Sequence, residues 1–213
     1  MRPACDRRLF ASAALAAALA ALGTPAAAED LYVATGGSNG NDCQSSGQPC
    51  ATIQGAVGKA AFPRNGSTGP LTIHVADGVY AGSGGAGGGC SGYAVGLVDR
   101  VCTASEPCVI AADNLHQATV DHYQGFCFDD SHHWTVRGID IDSDDPSASS
   151  SRYEIHAHSG STNIVVEDVY LVAADDDRGP AIRIVDAVDG FTARRVELDR
   201  ANACAGQDLS LIH

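Results

Sequence analysis

The sequence predicts an all-β protein, a right-handed parallel β-helix of three-strand rungs closed at its amino-terminal end by a capping helix. Three observations carry that prediction. Trp134-Thr-Val-Arg-Gly-Ile-Asp-Ile141, Ile164-Val-Val-Glu-Asp-Val-Tyr-Leu171 and Phe191-Thr-Ala-Arg-Arg-Val-Glu-Leu198 match in character at each position. Phe128, Ile155 and Ile182 recur at 27-residue intervals. Within each repeat the apolar parity switches phase across a polar pair. Self-similarity at a period of roughly 20 to 50 residues marks a solenoid, whose repeats bury their apolar faces only by stacking on one another.

The alternation shows how a rung is wound. Trp134 and Val136, Ile164 and Val166, and Phe191 and Ala193 point to one face with the period of two that a strand requires. The pairs Arg137-Gly138, Glu167-Asp168 and Arg194-Arg195 follow. Apolar parity then resumes one step out of phase at Ile139 and Ile141, Val169 and Leu171, and Val196 and Leu198. A solvated pair that lets both flanking strands face inward is a corner. Phe126 and Phe128, Tyr153 and Ile155, and Ile182 and Ile184 supply the third wall. Right-handed winding is the default, since about 98% of parallel crossovers take that hand. Rungs about 4.8 Å apart stack Arg137, Glu167 and Arg194 in one column, read here as a solvated corner with surface ion pairs of about 0 to 1 kcal/mol each.

The first residues stand outside this pattern. Arg2, Arg7 and Arg8 precede the apolar run Leu9 to Leu22, and Ala26-Ala27-Ala28 supplies small residues for cleavage, so residues 1–28 read as a secretory signal peptide. The apolar run is short for a retained span of about 20 residues. The expected mature chain of 185 residues carries a net charge of −15. Such a surface repels phosphate backbones and argues against nucleic acid as a partner, leaving cations and polyanions bridged by cations. Export makes disulfides the expected use of Cys43, Cys50, Cys90, Cys102, Cys108, Cys127 and Cys204. Cys43 with Cys50 is the readiest pair, and the pairing of the others stays open. No Cys-x-x-Cys spacing points to metal ligation by these thiols.

The mature chain opens with a strand at Leu31 to Val33 and a turn-rich loop. Ile53, Ala56, Val57 and Ala60 then recur at helical spacing behind the N-cap candidate Thr52. A helix over Thr52 to Ala61 would cover the open end of the first rung. Leu71-Thr-Ile-His-Val-Ala-Asp-Gly-Val-Tyr80 alternates and turns at Asp77-Gly78, starting the rungs, which run from 71 to 208 after an amino-terminal module of 29 to 70. Residues 81 to 92 are glycine-dense and read as a disordered excursion, with a loop gripping a substrate as the rival reading.

The succession Leu31-Tyr-Val, Gly36-Gly, Asn41-Asp42, Pro49-Cys-Ala-Thr-Ile-Gln, Ala56-Val, Lys59-Ala60 and Ile73-His-Val-Ala-Asp-Gly-Val-Tyr80 resembles the amino-terminal module of secreted right-handed β-helix proteins of the pectate-lyase-like superfamily, including polysaccharide lyase family 9. The resemblance covers residues 31 to 80 in detail and only the rung pattern beyond. It implies a secreted protein acting on or binding an acidic polysaccharide, with calcium held by aspartates and a basic residue removing the α-proton in those relatives that are lyases. A non-catalytic binding or structural module is the alternative. The Asn-Thr-Asp and Arg-Ile-Lys motifs expected of a polygalacturonase are not found.

Candidate chemistry follows from rung stacking. Asp142, Asp144 and Asp145 after one strand, and Asp175, Asp176 and Asp177 after the next, place acidic clusters where they could supply the oxygen ligands of Ca²⁺; a solvated acidic edge is the competing reading. A base is harder to find. Lys59 is the only lysine and belongs to the capping helix, and Arg137, Arg152, Arg178 and Arg183 stay protonated under ordinary conditions. Asp129-Asp130 is the carboxylate pair a hydrolase would use. His156 and His158, with His132-His133 and Asp129 or Asp130, form a candidate Zn²⁺ set, against exposed polar corner positions. Asn65-Gly-Ser67 matches a glycosylation acceptor.

Leu209-Ser-Leu-Ile-His213 is what CTG TCT CTT ATA CAC AT encodes, a string similar to the mosaic end of sequencing-library adapters, so residues 209–213 are expected to be non-native. The full-length protein is then expected to be a longer monomer, and this fragment to be aggregation-prone at its uncovered last rung.

Overall fold

A computed structural model describes residues 26–66, 68–82, 87–143, 153–173 and 180–200. Most of the expected signal peptide, Cys204 and the 209–213 tail lie outside the described residues. In chain order the elements are β1 (Glu29–Val33), α1 (Ile53–Lys59), β2 (Leu71–Val75), β3 (Gly78–Ala81), a 3₁₀ turn (Gly88–Cys90), β4 (Val95–Val98), β5 (Cys108–Ala112), β6 (Ala118–Asp121), β7 (Phe126–Asp129), β8 (Trp134–Arg137), β9 (Ile139–Asp142), β10 (Ile155–His158), β11 (Val165–Ala173), β12 (Ile182–Ile184) and β13 (Thr192–Arg200). The chain is mostly β, with one α-helix among the described residues, and its strand pairings are parallel.

The pairings stack strands whose inward side chains repeat. One ladder runs β1-β2-β5-β8-β11, a second runs β11-β9-β6-β3, and β13 extends both; the third is a separate sheet in the order β12-β10-β7-β4. Two ladders merge because β11 continues through its corner, pairing β8 through Val165 to Glu167 and β9 through Leu171 and Val172. Leu31, Ile73, Ile110, Val136 and Val166 are in register and buried in a single core shared with Ile141 and Leu171. Ala193 aligns with Val166 but is exposed on the outermost described strand.

The polar corners turn on the backbone. Gly138, Asp168 and Arg195 occupy like positions with φ of 73°, 54° and 51°, left-handed values that reverse side-chain parity between the flanking strand segments. Glycine needs no compensation there, and at Asp168 and Arg195 the two side chains pair with each other across adjacent strands.

α1 is held as its sequence suggests. The Thr52 hydroxyl accepts from Gly55 N at 2.9 Å, and Asn39 Oδ1 accepts from Ala51 N and Thr52 N at 3.0 and 3.2 Å. Ile53, Ala56 and Val57 are buried against the core, and Gln54 Oε1 accepts from Gly96 N at 2.7 Å. Arg64 is buried beneath this end, donating to the carbonyls of Thr68 and Gly69 and pairing with Glu29.

Four sequence expectations are corrected. Ile155 pairs with Phe126, not Phe128, so the register is two residues from the 27-residue alignment; an even slip preserves facing. Tyr153 precedes β10 and packs outside the core, while Ala157 takes the second inward position. The 81–92 stretch is not a disordered excursion throughout: residues 87 to 92 are ordered, and Cys90 is fully buried in a disulfide with Cys127. Glu167 is not a solvated corner residue but is 6% exposed, with Arg194, Arg195 and Arg137 over it.

Candidate functional site

β4, β7, β10 and β12 turn one face to the core and the other outward. Register places Gly96, Cys127, His156 and Arg183 in one outward row, and Val98, Asp129 and His158 in the next. The segment after the glycine-dense stretch folds back over this face. Cys90 bonds to Cys127, and Tyr93 packs beside them in a small apolar cluster with Val98 and Tyr153. Outward-pointing residues therefore become buried: His156 and His158 are 9% and 7% exposed.

The rings form a stack. His156 and His158 lie 4.5 Å apart, with Tyr153 5.3 Å and Tyr93 5.8 Å from His156. The Tyr93 hydroxyl is 2.9 Å from His156 Nδ1, and the guanidinium of Arg183 sits 4.8 Å from the Tyr153 ring centre while donating to its hydroxyl at 3.1 Å. Burial lowers the pKa of His156 to about 4, helped by His158 and Arg183 and opposed by Asp186 and Asp129. Burial also raises the Tyr93 hydroxyl well above its usual value, so a neutral phenol and a neutral imidazole share this hydrogen bond, the imidazole tautomer setting which of them donates.

His158 is oriented by its other side. Its Nδ1 is 2.7 Å from Ser159 Oγ and 3.7 Å from Asp129 Oδ1, and Asp129 Oδ2 accepts from Gly89 N at 3.0 Å. Its Nε2 points to Cys127 Sγ at 3.5 Å. Cys90, Cys127 and His158 bring their ligand atoms within 4.8 Å of one another. A Cβ on Gly89 would stand 2.4 Å from His158 Cε1, so only glycine allows this approach.

The expected zinc set is thus redistributed. Asp129 does meet His158, but Asp130 turns the other way, at 3.5 Å from His132 Nε2, and His132 Nδ1 bonds Thr162 Oγ1 at 2.9 Å. Asp129 and Asp130 thus face different histidines, His158 and His132. His156 and His158 are not exposed corner residues, because the segment bearing Cys90 and Tyr93 covers them. Sequence reading missed the partners Cys90, Tyr93 and Cys127. Outward strand positions occupied by Cys and His were the available signal, since neither is an ordinary choice for a solvated strand face.

Of the candidate calcium ligands, Asp142 is described and ends β9, in register with Asp121 on β6 and Val172 on β11. Asp144, Asp145, Asp175, Asp176 and Asp177 lie outside the described residues, as do Arg152, Arg178 and Ser67. Lys59 is exposed on α1, and Arg137 faces Glu167.

These ladders define a class, chains that stack short parallel strands around one elongated core. No family model and no curated protein matches the chain. A solved structure, a rhamnogalacturonan lyase, is similar to it with a TM-score of 0.50 at 11% identity, over 81% of this chain and 53% of that one. The chain thus spans about half the length of that lyase, and the likeness is one of fold.

Proposed function

We propose that this protein is a secreted, right-handed parallel β-helix that engages an acidic polysaccharide, with calcium bridging the polymer to the acidic edge formed by Asp142, Asp144, Asp145, Asp175, Asp176 and Asp177. The observation that carries the reading is the stacked parallel architecture, similar to a rhamnogalacturonan lyase over 81% of the chain. Right-handed winding is the sense parallel crossovers take. Three disulfides, Cys43–Cys50, Cys90–Cys127 and Cys102–Cys108, suit an oxidising compartment. No helix among the described residues is long and apolar enough to cross a membrane. A chain this acidic repels uronate groups unless a cation intervenes, and Asp121 on β6 is in register with Asp142 on β9, two neighbouring carboxylates that support this reading.

Among the described residues, Lys59 and Arg183 are poorly placed to act as a lyase base, so binding is the reading put to the test. Lys59 is exposed on the capping helix, and Arg183 is engaged with Tyr153. Isothermal titration of the full chain with rhamnogalacturonan and polygalacturonate, in millimolar calcium and in chelator, tests the proposal. Saturable binding that disappears with chelation is expected, without the ultraviolet absorbance of an unsaturated uronate product. Growth of that absorbance would make the protein a lyase, and no binding in calcium to either polymer would end the reading.

A further inference from the structure

We infer that Cys90, Cys127 and His158 form a redox-gated site for a soft or borderline divalent metal ion, closed as a disulfide in oxidising medium and opened by a dithiol or phosphine reductant. Three features of the geometry support it. The two sulfurs and His158 Nε2 lie within 4.8 Å of one another, all three residues being buried. The Nε2 to Cys127 Sγ separation is 3.5 Å. That is the edge of a tetrahedron with metal–sulfur and metal–nitrogen bonds of about 2.3 and 2.0 Å, so this pair needs little movement.

The second feature is the far side of the imidazole. Ser159 Oγ is hydrogen-bonded to Nδ1 at 2.7 Å with Asp129 Oδ1 behind it at 3.7 Å, and the tautomer in which Nδ1–H donates to Ser159 leaves the Nε2 lone pair directed at sulfur. A disulfide sulfur has no hydrogen to offer that lone pair. A thiol or a bound metal satisfies it. A polar partner on the far ring nitrogen is the means by which proteins set the tautomer of a metal-ligating histidine. The third feature is Gly89, whose missing side chain admits its backbone beside His158 and lets its N–H fix Asp129.

The step balances as follows. Two electrons and two protons from the reductant convert the disulfide into two thiols, the reductant being oxidised to its own disulfide or phosphine oxide. Metal binding then releases both protons as two thiolates and the neutral imidazole ligate, and the sulfurs part to about 3.8 Å. The fourth position is open to an exogenous ligand.

Co²⁺ is the probe, added to the full chain before and after phosphine reduction. The reduced protein should bind one Co²⁺ with thiolate-to-cobalt charge transfer and tetrahedral visible bands, and Zn²⁺ should displace it. The oxidised protein should show neither. His158→Ala and the conservative His158→Asn should each weaken binding at least tenfold, and Cys90→Ser with Cys127→Ser should abolish the charge-transfer band although Cys43, Cys50, Cys102 and Cys108 are also reduced. Circular dichroism reports whether each form keeps its sheet. A band that survives in the double serine variant, an affinity in the folded His158 variants equal to that of the parent, or loss of sheet on reduction that Zn²⁺ does not restore would each overturn the inference.

Discussion

The Tyr93 hydroxyl lies 2.9 Å from Nδ1 of His156, while Nε2 of the same ring is buried without a hydrogen-bond partner. One contact across 63 residues of chain thus carries the polar satisfaction of a ring sandwiched between Tyr93, Tyr153 and His158. Tyr93→Phe keeps the packing but leaves both imidazole nitrogens without partners. An unsatisfied buried polar group costs about 1 to 3 kcal/mol. The urea midpoint of the variant should fall accordingly, with the slope of the transition unchanged.

The same ring makes stability depend on pH. His156 titrates at about 4 in the folded chain, chiefly through burial, against an ordinary value of 6.5. Between those values the unfolded chain binds a proton that the folded chain refuses, so stability falls as pH drops through this window and levels off below it. The full effect is up to about 3 kcal/mol. His156→Gln should flatten the dependence of the urea midpoint on pH between about 6.5 and 4.

The fold was legible where apolar spacing alone decides it. Val136 and Val166 stack because parity and the polar pairs place them on the same face of adjacent rungs, and the strand pairs confirm that register. The Phe128 to Ile155 spacing misled by two residues because the chain between β7 and β10 is longer than in the following rung, a length that periodicity does not weigh. The covered face was illegible for a different reason. Glu167, His156 and His158 were read as exposed from their polarity, yet arginines cover the first and the segment bearing Cys90 and Tyr93 covers the others. Polarity states what a side chain needs, and only the tertiary path shows whether water or protein provides it.

Glu167 holds the corner column together. It accepts from Arg194 and lies 3.5 Å from Arg195 and 4.0 Å from Arg137, all more than half exposed. Glu167→Gln leaves three guanidinium groups with reduced compensation. A cost of about 1 to 2 kcal/mol is expected, between that of an exposed pair and a broken buried one. Because the arginines are solvated, molar salt should halve the difference in urea midpoint between variant and parent.

Gly138 tests the corner backbone separately from its charges. An added Cβ would meet Leu115 Cδ1 at 3.4 Å and Ala112 Cβ at 3.6 Å, so the space is nearly sufficient and the φ of 73° is the main obstacle. Gly138→Ala should cost about 1 kcal/mol in urea unfolding, and Gly138→Asn less, since asparagine tolerates left-handed backbone better. Equal losses from both would mean that the side-chain contacts, not the turn, set the cost.

Glu106 organises the segment that leads into β2. One carboxylate oxygen accepts from Gly69 N and the other from Gly66 N, each at 2.8 Å, with Thr68 Oγ1 at 3.3 Å. Burial alone would raise its pKa, but these donors outweigh burial and hold it below the ordinary carboxylate value. The contribution to stability is therefore complete above the unfolded value and lost as pH falls through the lower folded one. Glu106→Gln turns an amide NH₂ toward at least one of these N–H groups, so a donor meets a donor. Its melting temperature should lie below that of the parent near neutral pH, and the gap should narrow in strong acid, where protonation gives the parent a similar defect. A gap that stays constant to pH 2 would place the role of Glu106 in its shape and not in its charge.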